Sequence, residues 1–116
     1  MWFATERGLV RFDGMEEKEY RYDPLDASSV SSDVITSLVE DNLGNLWVGT
    51  MYAGLNYFDR KHNRFIRFPS TTHPCSPPAN KINKIRIDRK GLVWVSTEGG
   101  GLCRMRPKKV IPRHLG

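Results

Sequence analysis

Few side chains in this sequence carry reactive chemistry, and several of those sit at matching places. Glu6, Arg7, Tyr52 and Glu98 follow one or other of three related segments: Trp2-Phe3-Ala4-Thr5, Trp47-Val48-Gly49-Thr50 and Trp94-Val95-Ser96-Thr97. A pair of carboxylates facing one opening suits general acid and base work, as in the cleavage of glycosidic bonds. Glu6 and Glu98 hold equivalent positions, but Tyr52 stands near that position in the middle segment, so no catalytic pair is expected. His62, His73 and His114 are isolated in loops or the tail, where surface roles are expected. Cys75 and Cys103 are too far apart in sequence to signal a disulfide framework or a zinc site, and they read as thiols rather than a bridge. No metal site, cofactor or enzymatic activity is expected. Arg7, Tyr52 and Glu98 remain as candidate ligand-binding residues, because a guanidinium, a phenol and a carboxylate at equivalent turns can bond to or stack on a polar ligand.

An internal repeat sets these positions. Val34 to Trp47 aligns with Lys81 to Trp94 at a constant offset of 47 residues, without a gap. Ile35 falls on Ile82, Leu38 on Ile85, Asp41 on Asp88, Gly44 on Gly91 and Trp47 on Trp94. The register continues with Gly54-Leu55 on Gly101-Leu102, and a third copy opens the chain as Trp2 to Thr5 followed by Gly8-Leu9. A period in the mid-forties is that of propeller blades with four strands each.

The full copy reads as strands at Ile35 to Glu40, Leu46 to Thr50, Leu55 to Asp59 and Arg64 to Phe68, and Glu19 to Tyr22 reads as the outer strand of the first copy. No stretch sustains a helical period, so the fold class is all-β. In the turn Asp41-Asn42-Leu43-Gly44 the glycine can take positive φ while the aspartate accepts turn N–H groups, and Asp88 with Gly91 repeats the arrangement. Gly54 and Gly101 mark the following turn. Trp2, Trp47 and Trp94 are expected to fill the wedge between neighbouring sheets, and the small residue shortly after each (Ala4, Gly49, Ser96) allows close approach. Recurrence at one structural position makes core packing, not ligand stacking, the expected role of these tryptophans.

The 116 residues are 39% hydrophobic and 27% charged, as in an ordinary folded chain, and no apolar run is long enough to cross a bilayer. The formal charge of +5 is unevenly spread. Residues 1–59 hold four basic residues against eleven acidic ones, whereas residues 60–116 hold fourteen basic residues against Asp88 and Glu98. The basic residues are distributed over turns and outward strand positions without a nucleic-acid module, so neither nucleic acid nor a membrane is an expected partner.

The string from Ile35 to Leu55, Ile-Thr-Ser-Leu-Val-Glu-Asp-Asn-Leu-Gly-Asn-Leu-Trp-Val-Gly-Thr-Met-Tyr-Ala-Gly-Leu, resembles the two-component regulator propeller repeat. The resemblance extends over Trp2 to Tyr22, Val34 to Phe68 and Ile82 to Met105, with Ile87 and Ser96 as departures in the last copy. It implies the sensor region of a two-component signal transduction regulator, non-catalytic and periplasmic within its parent, with a carbohydrate-type small molecule as the signal. The kinase and regulator domains that the resemblance also implies are not in this sequence. The aspartate turn is similar to the Asp-box of sialidases and to the repeat of streptogramin lyase propellers, which makes a lyase-like enzyme one alternative and a protein-interaction scaffold another.

The copies divide the chain into a partial first blade at 1–23 holding its last three strands, a complete second blade at 34–68, a partial third blade at 81–106 holding its first three strands, and a basic tail at 107–116. Two and a half blades do not close a ring, since closed propellers hold roughly four to eight. The expectation is an incomplete β-propeller and a fragment of a longer sensor, with the remaining blades or other copies of the chain as partners.

Overall fold

The computed structural model describes residues 1–6, 8–42, 44–68, 81–98 and 101–105. The link at 69–80 with His73 and Cys75, the tail with His114, Arg7 and the Gly99-Gly100 pair lie outside the described residues. Ten strands are described, in three antiparallel sheets that each run as a meander. The first sheet holds β1 (Trp2–Thr5), β2 (Gly8–Phe12) and β3 (Glu17–Tyr20). The second holds β4 (Ile35–Glu40), β5 (Leu46–Thr50), β6 (Leu55–Asp59) and β7 (Arg64–Phe68). The third holds β8 (Ile82–Ile87), β9 (Val93–Thr97) and β10 (Gly101–Met105). The fold is an incomplete all-β propeller.

One strand differs from the sequence reading. The outer strand of the first sheet runs over Glu17–Tyr20, two residues earlier than the Glu19 to Tyr22 expected. The hairpin before it is tight: Asp13 Oδ1 accepts the N–H groups of Met15 and Glu16 at 3.2 and 3.0 Å, so pairing starts at once with Phe12 opposite Glu17. At the other end the Tyr22 N–H donates to Asp33 Oδ1 at 2.6 Å, which draws the chain off the ladder.

The middle sheet shows why the sheets stack. Side chains alternate between faces along a strand, and both faces of β5 and β6 are apolar, so every residue of those two strands is buried. Leu46, Val48, Phe58 and Phe65 pack toward the first sheet with Leu9, Tyr20 and Val30, joined by Trp2, Ile35 and Leu38. Trp47, Leu55, Tyr57 and Phe68 pack toward the third sheet with Ile82, Ile85, Val93 and Val95. Aromatic rings hold the first wedge: Trp2 and Tyr20 meet Phe58 edge-on at centroid distances of 5.2 and 5.0 Å.

Neighbouring sheets approach most closely at their first strands. Thr36 Oγ1 donates to the Ile82 carbonyl, and the Ile85 N–H donates to Ser37 Oγ at 3.1 Å, tying β4 to β8. A break in register between Ile35 and Ser37 turns Thr36 out of its own ladder, and the same break recurs between Ile82 and Lys84. At the outer rim, Asn63, in the left-handed region at φ 51°, accepts from Tyr20 Oη at 3.1 Å and from Lys18 Nζ at 3.2 Å.

Gly49 marks the tightest contact. A β-carbon there would stand 2.5 Å from Ile82 Cγ2 and 2.8 Å from Ile82 Cβ, inside the core of the next sheet. Gly49→Ala should therefore lower stability by about 1–3 kcal/mol, the usual cost of overpacking. Urea unfolding checks this, and an unchanged midpoint would show that the sheets slide apart at no cost.

Candidate functional site

The meander places two kinds of turn at opposite ends of each sheet. Turns after β4 and β8 lie at one end. Turns after β1, β5 and β9, and the link that brings the chain to the next sheet, lie at the other.

At the first end the aspartate turns are built alike. The Asp41 N–H donates to the Asn45 carbonyl at 2.9 Å, the Gly44 N–H to the Asp41 carbonyl at 3.1 Å, and the Asn45 N–H to Asp41 Oδ1 at 2.9 Å. Asp88 repeats this with the Leu92 N–H at 3.0 Å and the Lys90 N–H at 2.8 Å on Oδ1. Gly44 and Gly91 both sit at φ 80°, where a side chain would be strained. The second carboxylate oxygen meets a different aromatic partner in each copy. Asp88 Oδ2 accepts the Trp94 indole N–H at 2.9 Å, whereas Asp41 Oδ2 accepts the Tyr57 hydroxyl at 3.2 Å. The buried Trp47 indole N–H has no hydrogen-bond acceptor among the described residues.

These partners shift the titrations in opposite senses. The Trp94 N–H, followed by the turn N–H groups, holds the Asp88 carboxyl below its ordinary value despite some desolvation. Burial, with the Asp41 charge second, pushes the Tyr57 hydroxyl from 10.0 up to about 12.

At the second end a threonine closes each turn. Thr5 Oγ1 donates to the Gly8 carbonyl at 3.1 Å, Thr50 Oγ1 to Gly54 at 2.8 Å and Thr97 Oγ1 to Gly101 at 3.2 Å. The sequence reading aligned these threonines without giving them a role, although a threonine three or four residues before a glycine in every copy was the available signal. The link at 23–33 is firmly held. Val30 is buried, and Arg67 donates to the carbonyls of Ser29 and Asp26 at 3.0 and 3.1 Å. Buried Asn56 accepts the Ser31 N–H at 3.0 Å and donates to Ser31 Oγ at 2.7 Å, and that hydroxyl donates to the Ala53 carbonyl at 3.0 Å. Asn56 thus fixes the link to the turn that carries Tyr52, a role nothing in its strand pattern disclosed.

Tyr52 projects from that turn with 68% of its surface exposed. Glu98 is exposed at the equivalent turn of the third sheet and pairs with Lys81 at 2.8 Å. Arg7 lies outside the described residues. Tyr52 and Glu98 share one end of the structure, with no hydrogen bond or ring contact between them. Of the structural repeat positions, Trp47 is wholly buried between the second and third sheets. Trp2 is half-buried in the first wedge, and Trp94 is half-buried on the far side of β9 from Val93 and Val95. Gly54 and Gly101 accept the threonine bonds just described. His62 is not isolated as its loop position implied: Nδ1 lies 2.6 Å from Oδ2 of Asp59, a carboxylate only 4% exposed, because the β6–β7 turn folds back over the strand end. Cys103 is half-buried and packs against the cluster between the second and third sheets. Among the described residues no three His, Cys, Asp or Glu side chains gather as metal ligands, and no helix is long and apolar enough to cross a membrane.

Residues 29–52, which span the end of the link, the first aspartate turn and the Tyr52 turn, match the two component regulator propeller family. Within that span the chain is similar to the two-component regulator propeller repeat. Its structure is similar to the extracellular domain of a protein described as a hybrid two component system from B. thetaiotaomicron, at 25% identity and a TM-score of 0.79, over 92% of this chain. It is also similar to the extracellular domain of one described as a one component system from the same organism, at 26% identity and a TM-score of 0.72, over 95% of this chain. The chain spans 15% of the length of each. No match is found among curated proteins.

The tie from turn to core in the middle repeat gives a test with a definite sign. The folded value of Tyr57 lies above the unfolded one, so its contribution is complete below pH 10.0 and is lost as pH rises toward about 12. Urea stability should fall across that window, and Tyr57→Phe should flatten the fall. Equal slopes in both proteins would remove Tyr57 as the cause.

Proposed function

We propose that this chain is a non-catalytic segment of the sensory propeller of a two-component regulator, facing the periplasm or the cell exterior. A small carbohydrate-type ligand would meet the end that carries the threonine turns. The observation that carries the reading is the similarity over 92% and 95% of the chain to extracellular domains of signalling systems. The arrangement of the two ends supports it. Carboxylates at the aspartate turns are consumed by hydrogen bonds to their turns and to Tyr57 or Trp94, whereas Tyr52 offers an exposed aromatic face and Glu98 an exposed carboxylate paired with Lys81. An aromatic face with nearby charged groups suits a polyhydroxylated ring, which has apolar C–H faces and polar edges.

A thermal-shift titration of the chain against a panel of oligosaccharides tests this. A binding sugar raises the melting temperature, by about 2.7 kcal/mol of added stability at a hundredfold excess over Kd. Tyr52→Ala should abolish the rise and Glu98→Gln weaken it, with ligand-free melting unchanged in both. No shift with any sugar, or the same shift in both variants, would refute binding at this end. Shortening of the sugars during incubation would replace the reading with a lyase-type or hydrolytic one.

A further inference from the structure

The turn that carries Tyr52 is tied down on both sides of an exposed ring. Before it, the Met51 N–H donates to the Val34 carbonyl at 3.0 Å. After it, the Ala53 N–H donates to Thr50 Oγ1 at 2.9 Å, and the Ala53 carbonyl accepts from Ser31 Oγ at 3.0 Å. Ser31 is itself gripped at two points. Asn56 Oδ1 accepts its N–H at 3.0 Å, and Asn56 Nδ2 donates to its hydroxyl at 2.7 Å. A backbone N–H can only donate, so this pair of bonds also fixes which atom of the Asn56 amide is oxygen.

Nothing in the sheet itself asks for an amide at this place. Asn56 is wholly buried, stands opposite Val48 in the ladder and shares its face of β6 with Phe58. An amide among such neighbours is costly unless it is hydrogen-bonded. Counting two residues on from the turn glycine, the other copies place Val10 and Cys103 there. A valine side chain makes no hydrogen bond and a thiol makes only weak ones, so the two-point grip belongs to the middle copy. The residue that is gripped also has a fixed base. Besides the bonds from Arg67, the link receives the Phe65 N–H on the Ser28 carbonyl at 2.8 Å, which anchors it to β7.

We infer that Asn56 and Ser31 are positioning residues that hold the Tyr52 turn in its ligand-bound arrangement before a ligand arrives, which makes the middle repeat the one that supplies the recognition turn. The inference rests on the reading of this end as a carbohydrate site. A contact residue whose backbone is already ordered loses less conformational freedom on binding, and tyrosine adds a rigid ring with few side-chain torsions. The bonds run from Asn56 on β6 through Ser31 to the Ala53 carbonyl, and neither Asn56 nor Ser31 touches the ligand. Removing the Ser31 hydroxyl takes that partner from the Asn56 amide nitrogen and from the Ala53 carbonyl. The anchors of the link at Arg67 and Phe65 stay in place, so the turn loosens while the sheets remain packed.

The test is amide hydrogen exchange, read residue by residue by NMR in wild type, Ser31→Ala and Ser31→Thr. Ser31→Ala should speed exchange at Ala53 by at least about tenfold while Val48 and Tyr57 keep their rates, because only the turn opens. Ser31→Thr keeps a hydroxyl and should exchange as wild type does. The oligosaccharide that raises the melting temperature of wild type most is then titrated into all three proteins. Its Kd should rise by about tenfold in Ser31→Ala and stay put in Ser31→Thr. Unchanged exchange at Ala53, or faster exchange there with an unchanged Kd, would overturn the inference. Exchange that rises alike at Ala53, Val48 and Tyr57 would overturn it too, by reducing the pair to general support of the sheet. If wild type binds no sugar, the carbohydrate reading fails by itself, and the exchange comparison still decides whether Ser31 and Asn56 hold the turn.

Discussion

The middle sheet of this chain is packed on both faces, and that constraint governs the rest. A sheet with one wet face can end a fold; one with two dry faces requires a neighbour on each side. Only the middle sheet meets the requirement within the described residues, and there β5 and β6 are buried at every position. The contacts that seat it are specific as well as apolar. Gly49 leaves room for Ile82, and the register breaks at Thr36 and Asn83 sit at the same place in successive copies. Only Thr36 is seen to use its break, by reaching the next sheet.

The strand ends divide the labour between holding the fold and presenting a surface. At the aspartate end, each carboxylate gives one oxygen to its own turn and the other to an aromatic side chain of the sheet, so the turn and the sheet order together. At the threonine end, a hydroxyl donates to a glycine carbonyl in each copy, and the residues between the two differ in type from copy to copy. Tyr52 and Glu98 occupy that variable space, and the Asn56–Ser31 pair holds the link beneath it in place. A rigid frame with interchangeable turn residues at one end is the form that recognition surfaces take on repeat folds. The similarity to extracellular signalling domains falls on a structure that already has this division.

The repeats do not use their shared positions identically. Trp94 donates its indole N–H to Asp88, but in the middle repeat the Tyr57 hydroxyl takes the corresponding oxygen and the Trp47 N–H has no acceptor among the described residues. Position 57 explains the exchange: the third repeat has Arg104 there, which lies over the Trp94 ring and cannot reach the carboxylate as a hydroxyl donor. The motif fixes the aspartate and the tryptophan, and the cross-strand neighbour decides how they are joined.

Much of the architecture was legible in the amino-acid sequence, for a local reason. The offset of 47 residues, the alternation of apolar side chains and the aspartate–glycine turns are patterns over a few residues, and they determined the strands, their order and the all-β class. Tertiary structure decided what depends on residues far apart in sequence. Thr36 bonds to Ile82, Ser31 to Asn56, Tyr20 to Asn63 and Arg67 to Ser29, and none of these pairs leaves a mark in a window short enough to read. The outer strand of the first sheet moved because Asp33 captures the backbone at Tyr22, and His62 gained a partner because its turn folds back onto Asp59. Reactive side chains were found from sequence by their types and spacing. Whether each is exposed, paired or built into the frame was decided by which sheet face lies against which, and packing between sheets settles that.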